Sequence, residues 1–166
     1  MDIRNRIISF LLSLLIPEAA IIVIAMLPVF ELRLSIPIAI FQFHFSVMKA
    51  CVLSIIGNII IIVPLLVFFR CLFHELENTG FIGKFFRWWF SSVSRRSKVI
   101  EKWGFWGLVF FVSIPLPGTG AWSGAIAANL FNFQIKKAFA AITIGVLIAG
   151  VLVTLASIGA IKLWIV

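Results

Sequence analysis

The sequence has few of the residues on which enzymatic chemistry depends. Among its 166 residues are two histidines, two cysteines and six acidic side chains. It contains no Ser-His-Asp set, no phosphate-binding P-loop and no pair of catalytic carboxylates. His44 and His74 lie near the ends of apolar segments, where no neighbouring residues complete a metal site. The sequence therefore predicts a protein that is not an enzyme, does not hydrolyse ATP and holds no metal or cofactor.

The two cysteines are too far apart to predict a disulfide. Cys51 and Cys71 lie twenty residues apart in one apolar segment, which corresponds to about 30 Å along a helix. A disulfide brings its two Cα atoms within about 7 Å of each other. We therefore expect both cysteines to act as packing residues.

Apolar residues, in contrast, are abundant. They make up 63% of the chain, and the mean hydropathy is +1.19. A soluble domain of this length cannot bury so much apolar surface, so the composition indicates a single integral membrane domain over residues 1–166. The formal net charge is +8, but the basic residues lie mostly between apolar segments, where they act as topological signals and contact anionic headgroups. We therefore expect membrane lipids, and not nucleic acid, as partners.

Two apolar segments, residues 46–72 and 135–163, are long enough to be predicted as membrane spans, which need about twenty residues. Residues 3–16 are shorter and form either an interfacial helix or the lower part of a bent first helix. Residues 73–104 carry six basic residues with interleaved aromatic residues. This composition predicts a basic amphipathic connector on the membrane surface. The positive-inside rule assigns that surface to the cytoplasmic side.

Residues 111–128 are apolar, yet they include two prolines and three glycines. A proline in a helix interior removes a hydrogen bond and clashes with the preceding turn, whereas glycines permit a tight reversal. The segment therefore predicts a re-entrant hairpin, and broken helices of this kind are typical of transporter binding sites. The candidate site residues here are Pro115, Pro117, Gly118, Thr119, Gly120 and Trp122.

Residues 18–43 show a similar interruption, with Glu31 and Arg33 inside an apolar region. Charges inside a membrane are costly and usually face a partner or a cavity. Glu31 is a candidate for binding a cation or carrying a proton, and Arg33 for holding an anion such as phosphate. The alternatives are a structural ion pair, or two charges that are hydrated at the membrane surface. Pro37 suits the start of a second half-helix near Ser35, because its missing N–H would be unpaired there in any case.

The second halves of both hairpins are predicted to begin at mid-membrane, one near Ser35 and one near Thr119. Helix N-termini carry unpaired N–H groups and a partial positive charge. They therefore favour an anionic group, or the carboxylate of Glu31 itself. Ser35 and Thr119 are candidates for capping these ends or contacting the substrate. Trp122 either stacks on a flat cationic substrate or packs in the core.

The two halves of the chain resemble each other when one is shifted by 88 positions. Without a gap, Phe43, Phe45, Lys49, Ala50 and Gly57 match Phe131, Phe133, Lys137, Ala138 and Gly145. Each repeat is then one hairpin plus one span, roughly 17–72 and 105–160. A hairpin returns to its own side and a span crosses, so the second copy is predicted to be inverted in the membrane. In transporters of this architecture the substrate site lies between the repeats, near the midplane.

Three motifs together closely resemble the small multidrug export family of prokaryotic membrane proteins. They are Pro28-x-x-Glu31-Leu-Arg33-x-x-Ile-Pro37, then Gly57-Asn58, and then the run from Phe111 to Ala128. That family is distantly similar to the DedA (VTT-type) superfamily, whose two inverted re-entrant hairpins are associated with lipid scrambling and with recycling of carrier-lipid phosphates. The first resemblance implies drug export, and the second implies a lipid or polyprenyl phosphate as substrate. DedA-like proteins carry arginines around the proline of the second hairpin, whereas residues 113–128 of this chain have no charge.

The sequence therefore predicts an all-α, multi-pass protein of the cytoplasmic membrane, with two inverted hairpin-plus-span repeats joined by the connector. The expected function is proton- or ion-coupled secondary transport of a small amphipathic compound, by alternating access at the hairpin tips, with Glu31 as the proton or cation site. One alternative is a DedA-like lipid or polyprenyl-phosphate transporter or scramblase, and another is a structural membrane protein without transport. Two spans and two hairpins offer little protein to cover irregular backbone, so a homodimer or larger assembly is also expected.

Overall fold

The computed structural model describes residues 16–28, 30–75, 98–116 and 118–165, and within them the regular structure is entirely α-helical. In chain order the helices are α1 (Pro17–Met26), α2 (Glu31–Phe41), α3 (Val47–Glu75), α4 (Lys98–Ser113), α5 (Ala121–Leu130) and α6 (Ile135–Ile165). The predicted all-α fold class is confirmed. Most of the predicted connector, and all but the last residue of the apolar stretch 3–16, lie outside the described residues.

Two of these helices, α3 and α6, are long and apolar enough to cross a membrane. In each, the apolar part is 25 residues long, Val47–Cys71 in α3 and Ile135–Gly159 in α6. Such a segment rises about 38 Å, which exceeds the roughly 30 Å thickness of a bilayer's hydrocarbon core. Large apolar side chains such as Ile60 on α3 and Leu155 on α6 are more than half exposed, as expected of helices that contact lipid.

The described helices form two compact units, and the first contains residues up to Asn58 together with residues from Val153 onward. It therefore holds α1, α2, the beginning of α3 and the end of α6. Helices α1 and α2 pack against each other after the break at residues 27–30. The buried core of this unit includes Ile21, Ile24, Phe30, Ala39 and Ala50.

Helix α3 lies directly against α1 in the first unit. The contacts are a 2.6 Å salt bridge between Glu18 and Lys49, the approach of Gly57 to the backbone of Ile22, and a 2.8 Å hydrogen bond that Asn58 Nδ2 donates to the carbonyl of Ala25. Because these contacts follow the same order along both helices, α1 and α3 run parallel. The absence of a side chain at residue 57 lets the two backbones come together.

The second unit, residues Ile59–Leu152, contains α4, α5, the beginning of α6 and the rest of α3. Helix α4 has a break at Gly104, whose φ of 52° and ψ of −121° are not helical. Beyond the break, α4 packs closely against both α5 and α6. A Cβ at Gly124 or at Gly145 would lie 2.6 Å from a side-chain carbon of Val112. Small residues therefore bring these three helices together, as the sequence predicts for close helix packing in membranes.

The turns that follow α2 and α5 have the same local geometry. His44 and Asn132 both adopt a left-handed conformation, with φ of 52° and 53°. The next helix begins three residues later in each case, at Val47 and at Ile135. These positions differ by 88 residues, as do Gly57, where α3 approaches α1, and Gly145, where α6 approaches α4. The offset seen in the sequence therefore also relates the backbone turns.

The predicted start of the second half-helix near Ser35 and Pro37 is wrong. Helix α2 begins at Glu31, and Pro37 lies inside it. The chain has already turned at this point, because the N–H groups of Phe30 and Glu31 both donate to the carbonyl of Leu27. Pro37 removes one helical hydrogen bond, which membrane proteins tolerate where neighbouring groups satisfy the backbone.

Candidate functional site

Glu31 places a carboxyl group in the interior of the first unit. Its exposed fraction is 7%. Its φ of 43° lies in the left-handed region that non-glycine residues seldom adopt. Residues held in this region cost energy and are often found at functional sites, because the surrounding structure must maintain them. The turn before α2 thus fixes an acidic side chain where water has little access.

Arg33 lies two residues further along α2, and so about 200° around the helix from Glu31. Arg33 is half-buried, and burial disfavours its positive charge. The negative charge of Glu31 stabilises that positive charge. The two charges therefore interact, although they project from different sides of α2. The burial of Glu31 argues against the alternative in which both charges are simply hydrated at the membrane surface.

Ser35 and Pro37 occupy the middle of α2. Ser35 is fully buried, and its hydroxyl has no hydrogen-bond partner among the described residues. It does not cap a helix, because α2 begins four residues earlier. It shares a face of α2 with Glu31, since residues four apart lie one above the other. The structure thus brings a carboxyl group and a buried hydroxyl together on one helix face.

Thr119 closes the turn between α4 and α5. Its hydroxyl lies 2.5 Å from the carbonyl oxygen of Ile114 and 2.8 Å from that of Leu116, and it also accepts the N–H of Leu116. The predicted capping role of Thr119 is wrong, because Gly120 is the N-cap of α5 and no side chain caps this end. The prediction of a tight reversal is confirmed: Gly118 and Gly120 have φ values of 84° and 130°.

Trp122 is partly buried in the second unit. Its ring lies edge-to-face against Phe69, with 6.3 Å between centroids and an interplanar angle of 78°. Aromatic pairs prefer this arrangement, which contributes to packing. The contact favours the packing interpretation of Trp122 over stacking on a flat substrate.

The predicted site residues are distributed over both units. The first unit holds Glu31, Arg33, Ser35 and Pro37, and the second holds Pro115, Gly118, Thr119, Gly120 and Trp122. Pro117 lies outside the described residues. Sequence reasoning missed Ser54 as a candidate and noted Asn58 only as a polar residue near mid-depth. Both are buried on α3, and their spacing of four in an otherwise apolar stretch of that helix is the signal that identifies them.

Both cysteines lie on α3 with free thiols, as their spacing predicts. Cys51 is partly buried, but Cys71 is exposed, so packing accounts for the first and not the second. Within the part of the chain that the structure describes, no three His, Cys, Asp or Glu side chains are grouped as they would be around a metal ion.

A helical fold with two helices long and apolar enough to cross a membrane, and with a carboxyl group buried in an apolar unit, indicates a membrane protein. Residues 31–152 match the family described as "Putative small multi-drug export protein". The match covers well over half of the chain and begins at Glu31, so the chain belongs to this family. The resemblance inferred from the motifs is confirmed. No curated protein and no solved structure matches the chain.

Proposed function

We propose that the protein is a secondary transporter of the cytoplasmic membrane that exports small amphipathic compounds, with Glu31 as the residue that binds the coupling proton or cation. The family indicates export, and the burial of Glu31 is the observation that carries the coupling role. An ionised carboxylate with 7% exposure in an apolar protein is costly. Such a group is suited to change its charge during a transport cycle, because neutralisation removes the cost.

Helix lengths support an architecture of two re-entrant hairpins. The arms α1, α2 and α5 contain 10, 11 and 10 residues, and each rises only about 15 Å, half of the hydrocarbon core. Such arms are long enough to enter the membrane and return, but not to cross it. A single crossing by α3 separates the hairpins, so the second hairpin enters from the opposite face. The common offset of 88 residues in sequence and turn geometry supports an inverted repeat.

The interaction between Glu31 and Arg33 provides the coupling step. When Glu31 is ionised, its charge stabilises that of Arg33. When a proton or cation neutralises Glu31, this stabilisation is lost, and the half-buried charge of Arg33 is less well compensated. Ion binding therefore shifts the balance between two conformations of the hairpin tip, which is what coupled transport requires.

Export is tested with purified protein in liposomes that carry a fluorescent lipophilic cation and an imposed proton or sodium gradient. We expect Glu31→Gln to lose gradient-driven transport, because the amide cannot exchange its charge. Glu18→Gln is the matched control, since Glu18 is an exposed carboxylate paired with Lys49, and we expect it to transport at the wild-type rate. Undiminished transport by Glu31→Gln would contradict the coupling role. Absence of transport by the wild type in liposomes, together with full function in cells of the double variant Glu31→Gln with Arg33→Gln, would favour the structural alternative.

A lipid phosphate is the second candidate substrate. Its specific support is Arg33, whose half-buried guanidinium group is suited to hold a phosphate group. If this function is correct, nanodiscs will bind a lipid phosphate in preference to a lipophilic cation, and Arg33→Gln will abolish that binding while Glu31→Gln does not.

A homodimer or larger assembly is part of the proposal. In the described residues, large apolar side chains on α3, α4 and α6 are extensively exposed, and the irregular backbone at residues 114–116 and 118–120 needs cover if it lies at membrane depth. A second copy of the chain would supply that cover.

A further inference from the structure

Each unit contains the same contact between a long helix and the first arm of its hairpin. In both units, a glycine of the long helix meets the carbonyl oxygen of one residue in the arm and the side chain of the residue three positions later. These pairs are Ile22 and Ala25 for Gly57, and Val109 and Val112 for Gly145. The members of the two pairs differ by 87 residues, so the contact aligns the two arms at this offset.

The same offset relates the ends of the two arms. It carries α1, Pro17–Met26, onto residues 104–113. Residue 104 is the glycine at which α4 breaks, and residue 113 is the last residue of α4. The first arm of the second hairpin is therefore the part of α4 that follows the break. At the start of this arm, Phe105 takes the position that Glu18 has in the first hairpin.

Lys137 is the counterpart of Lys49 on the long helix, because each precedes the contact glycine by eight residues. Both lysines are exposed, and the residues around them have the same pattern of burial. The charge of Lys49 is balanced by Glu18, at 2.6 Å. Phe105 offers no such charge to Lys137, which forms no ion pair with any residue that the structure describes. The two equivalent positions therefore differ in charge balance.

The described part of the second unit has a strongly basic surface. Among the side chains described there, Glu101 is the one acidic group, whereas five are basic and exposed. The basic residues are Arg70, Lys98, Lys102, Lys136 and Lys137. Next to Phe105, Trp106 is 57% exposed, and the two rings lie edge-to-face with 5.5 Å between centroids. Tryptophan is favoured at the level of lipid headgroups, where its ring meets apolar groups and its N–H meets polar ones.

We propose that this end of the second unit binds the headgroup of an anionic phospholipid from the surrounding bilayer. The lipid phosphate takes the position that the Glu18 carboxylate has in the first unit, with Lys137 and the adjacent Lys136 as its positive partners. Trp106 and Phe110 are both more than half exposed and lie four residues apart on α4, so they share a face that suits the acyl chains. An anionic lipid is favoured over a zwitterionic one because the lysine charge is uncompensated. The proposal does not rest on the export of small compounds.

The site is tested on the full-length protein in a neutral detergent, without any transported compound. Native mass spectrometry measures the binding of phosphatidylglycerol and of phosphatidylcholine with the same acyl chains. We expect the wild type to bind phosphatidylglycerol more tightly. Lys137→Gln should weaken that binding about fivefold, the contribution of one basic residue near an anionic lipid, and should leave phosphatidylcholine binding unchanged. Because Lys137 is exposed, the variant should have the wild-type Tm before lipid is added.

Lys49→Gln is the matched control. It removes an exposed lysine from the equivalent position of the first unit, where Glu18 already balances the charge, so we expect the wild-type affinity for phosphatidylglycerol. Equal weakening in Lys49→Gln and Lys137→Gln would indicate attraction to the overall charge and would overturn the site. Equal affinity of the wild type for the two lipids, or an unchanged affinity in Lys137→Gln, would overturn it as well.

A second pair of variants tests whether a carboxylate and a lipid phosphate can replace each other. Phe105→Glu introduces the carboxylate that the first unit has, and we expect it to pair with Lys137 and to lower the affinity for phosphatidylglycerol by fivefold or more. Phe105→Gln has a side chain of the same size without the charge and controls for the loss of the ring. Equal affinities in these two variants would contradict the proposed position of the phosphate.

The experiment also separates this site from a lipid-phosphate substrate held by Arg33 in the first unit. Loss of phosphatidylglycerol binding in Arg33→Gln, with no change in Lys137→Gln, would support the substrate and overturn the site proposed at Lys137. The reverse result would support the site, whatever compound the protein transports.

Discussion

Substitution of Gly57 by alanine tests the close approach of α1 and α3. A Cβ at this position would lie 2.5 Å from the carbonyl oxygen of Ile22 and 2.9 Å from the Cβ of Ala25. Non-bonded atoms of this kind prefer separations of about 3.5 Å or more. Because the nearest atom belongs to the backbone, no change of rotamer relieves the clash. The two helices must therefore move apart by several tenths of an ångström or more.

The expected net cost of Gly57→Ala is about 1–3 kcal/mol. Inserting a methyl group into a close-packed contact costs about 1–3 kcal/mol. Separation of the helices also weakens the hydrogen bond from Asn58 to Ala25, which contributes about 1 kcal/mol. The better helix propensity of alanine returns up to about 1 kcal/mol. The last two terms nearly cancel, so the steric term determines the result.

The measurement is thermal unfolding of the purified protein in a mild detergent. At this chain length a loss of 1 kcal/mol lowers the Tm by about 2–4 °C. Gly159→Ala is the matched control, because an added Cβ there meets nothing within 4 Å, and it should be neutral or slightly stabilising. A Gly57→Ala variant as stable as Gly159→Ala would refute the packing of α3 on α1.

Three further predictions concern the second hairpin and the assembly. Thr119→Val should lower the free energy of unfolding by about 1–3 kcal/mol, because the carbonyls of Ile114 and Leu116 lose their hydrogen bonds to the hydroxyl. Thr119→Ser keeps the hydroxyl and should have the wild-type Tm. Equal Tm values for the two variants would contradict this role. If Trp122 packs against Phe69, Trp122→Phe should keep both stability and transport, whereas Trp122→Ala should lose stability. Selective loss of transport in Trp122→Phe would instead indicate that Trp122 stacks on the substrate. Chemical cross-linking in lipid should give dimers or larger species, and a result with monomers alone would contradict the proposed assembly.

The sequence predicted the helices well where the signal was a long apolar run or a change in composition. The spans were predicted at 46–72 and 135–163, and the structure has Val47–Glu75 and Ile135–Ile165. Glycines flanking Thr119 also predicted the reversal before α5. These features depend on local chemistry alone, namely apolar content, helix propensity and the backbone freedom of glycine.

The details of the hairpin tips were harder to predict, because local rules compete there. Proline favours the first turn of a helix, yet in α2 it lies well inside, since the turn at Leu27 starts the helix earlier. A threonine before a helix favours the N-cap. The Thr119 hydroxyl instead donates to the carbonyl groups of Ile114 and Leu116 in its own turn. In both cases the hydrogen bonds of the turn decide between two permitted uses of the same residue.

The early start of α2 has a consequence for the site. A helix starting near Ser35 would have left Glu31 in an irregular segment, with no fixed relation to the serine. Because α2 begins at Glu31, the carboxylate and the Ser35 hydroxyl share a face by the helical spacing of four. Ser54 and Asn58 have the same spacing on α3. A regular helix, and not an unwound segment, therefore holds this carboxylate and hydroxyl in a fixed relation.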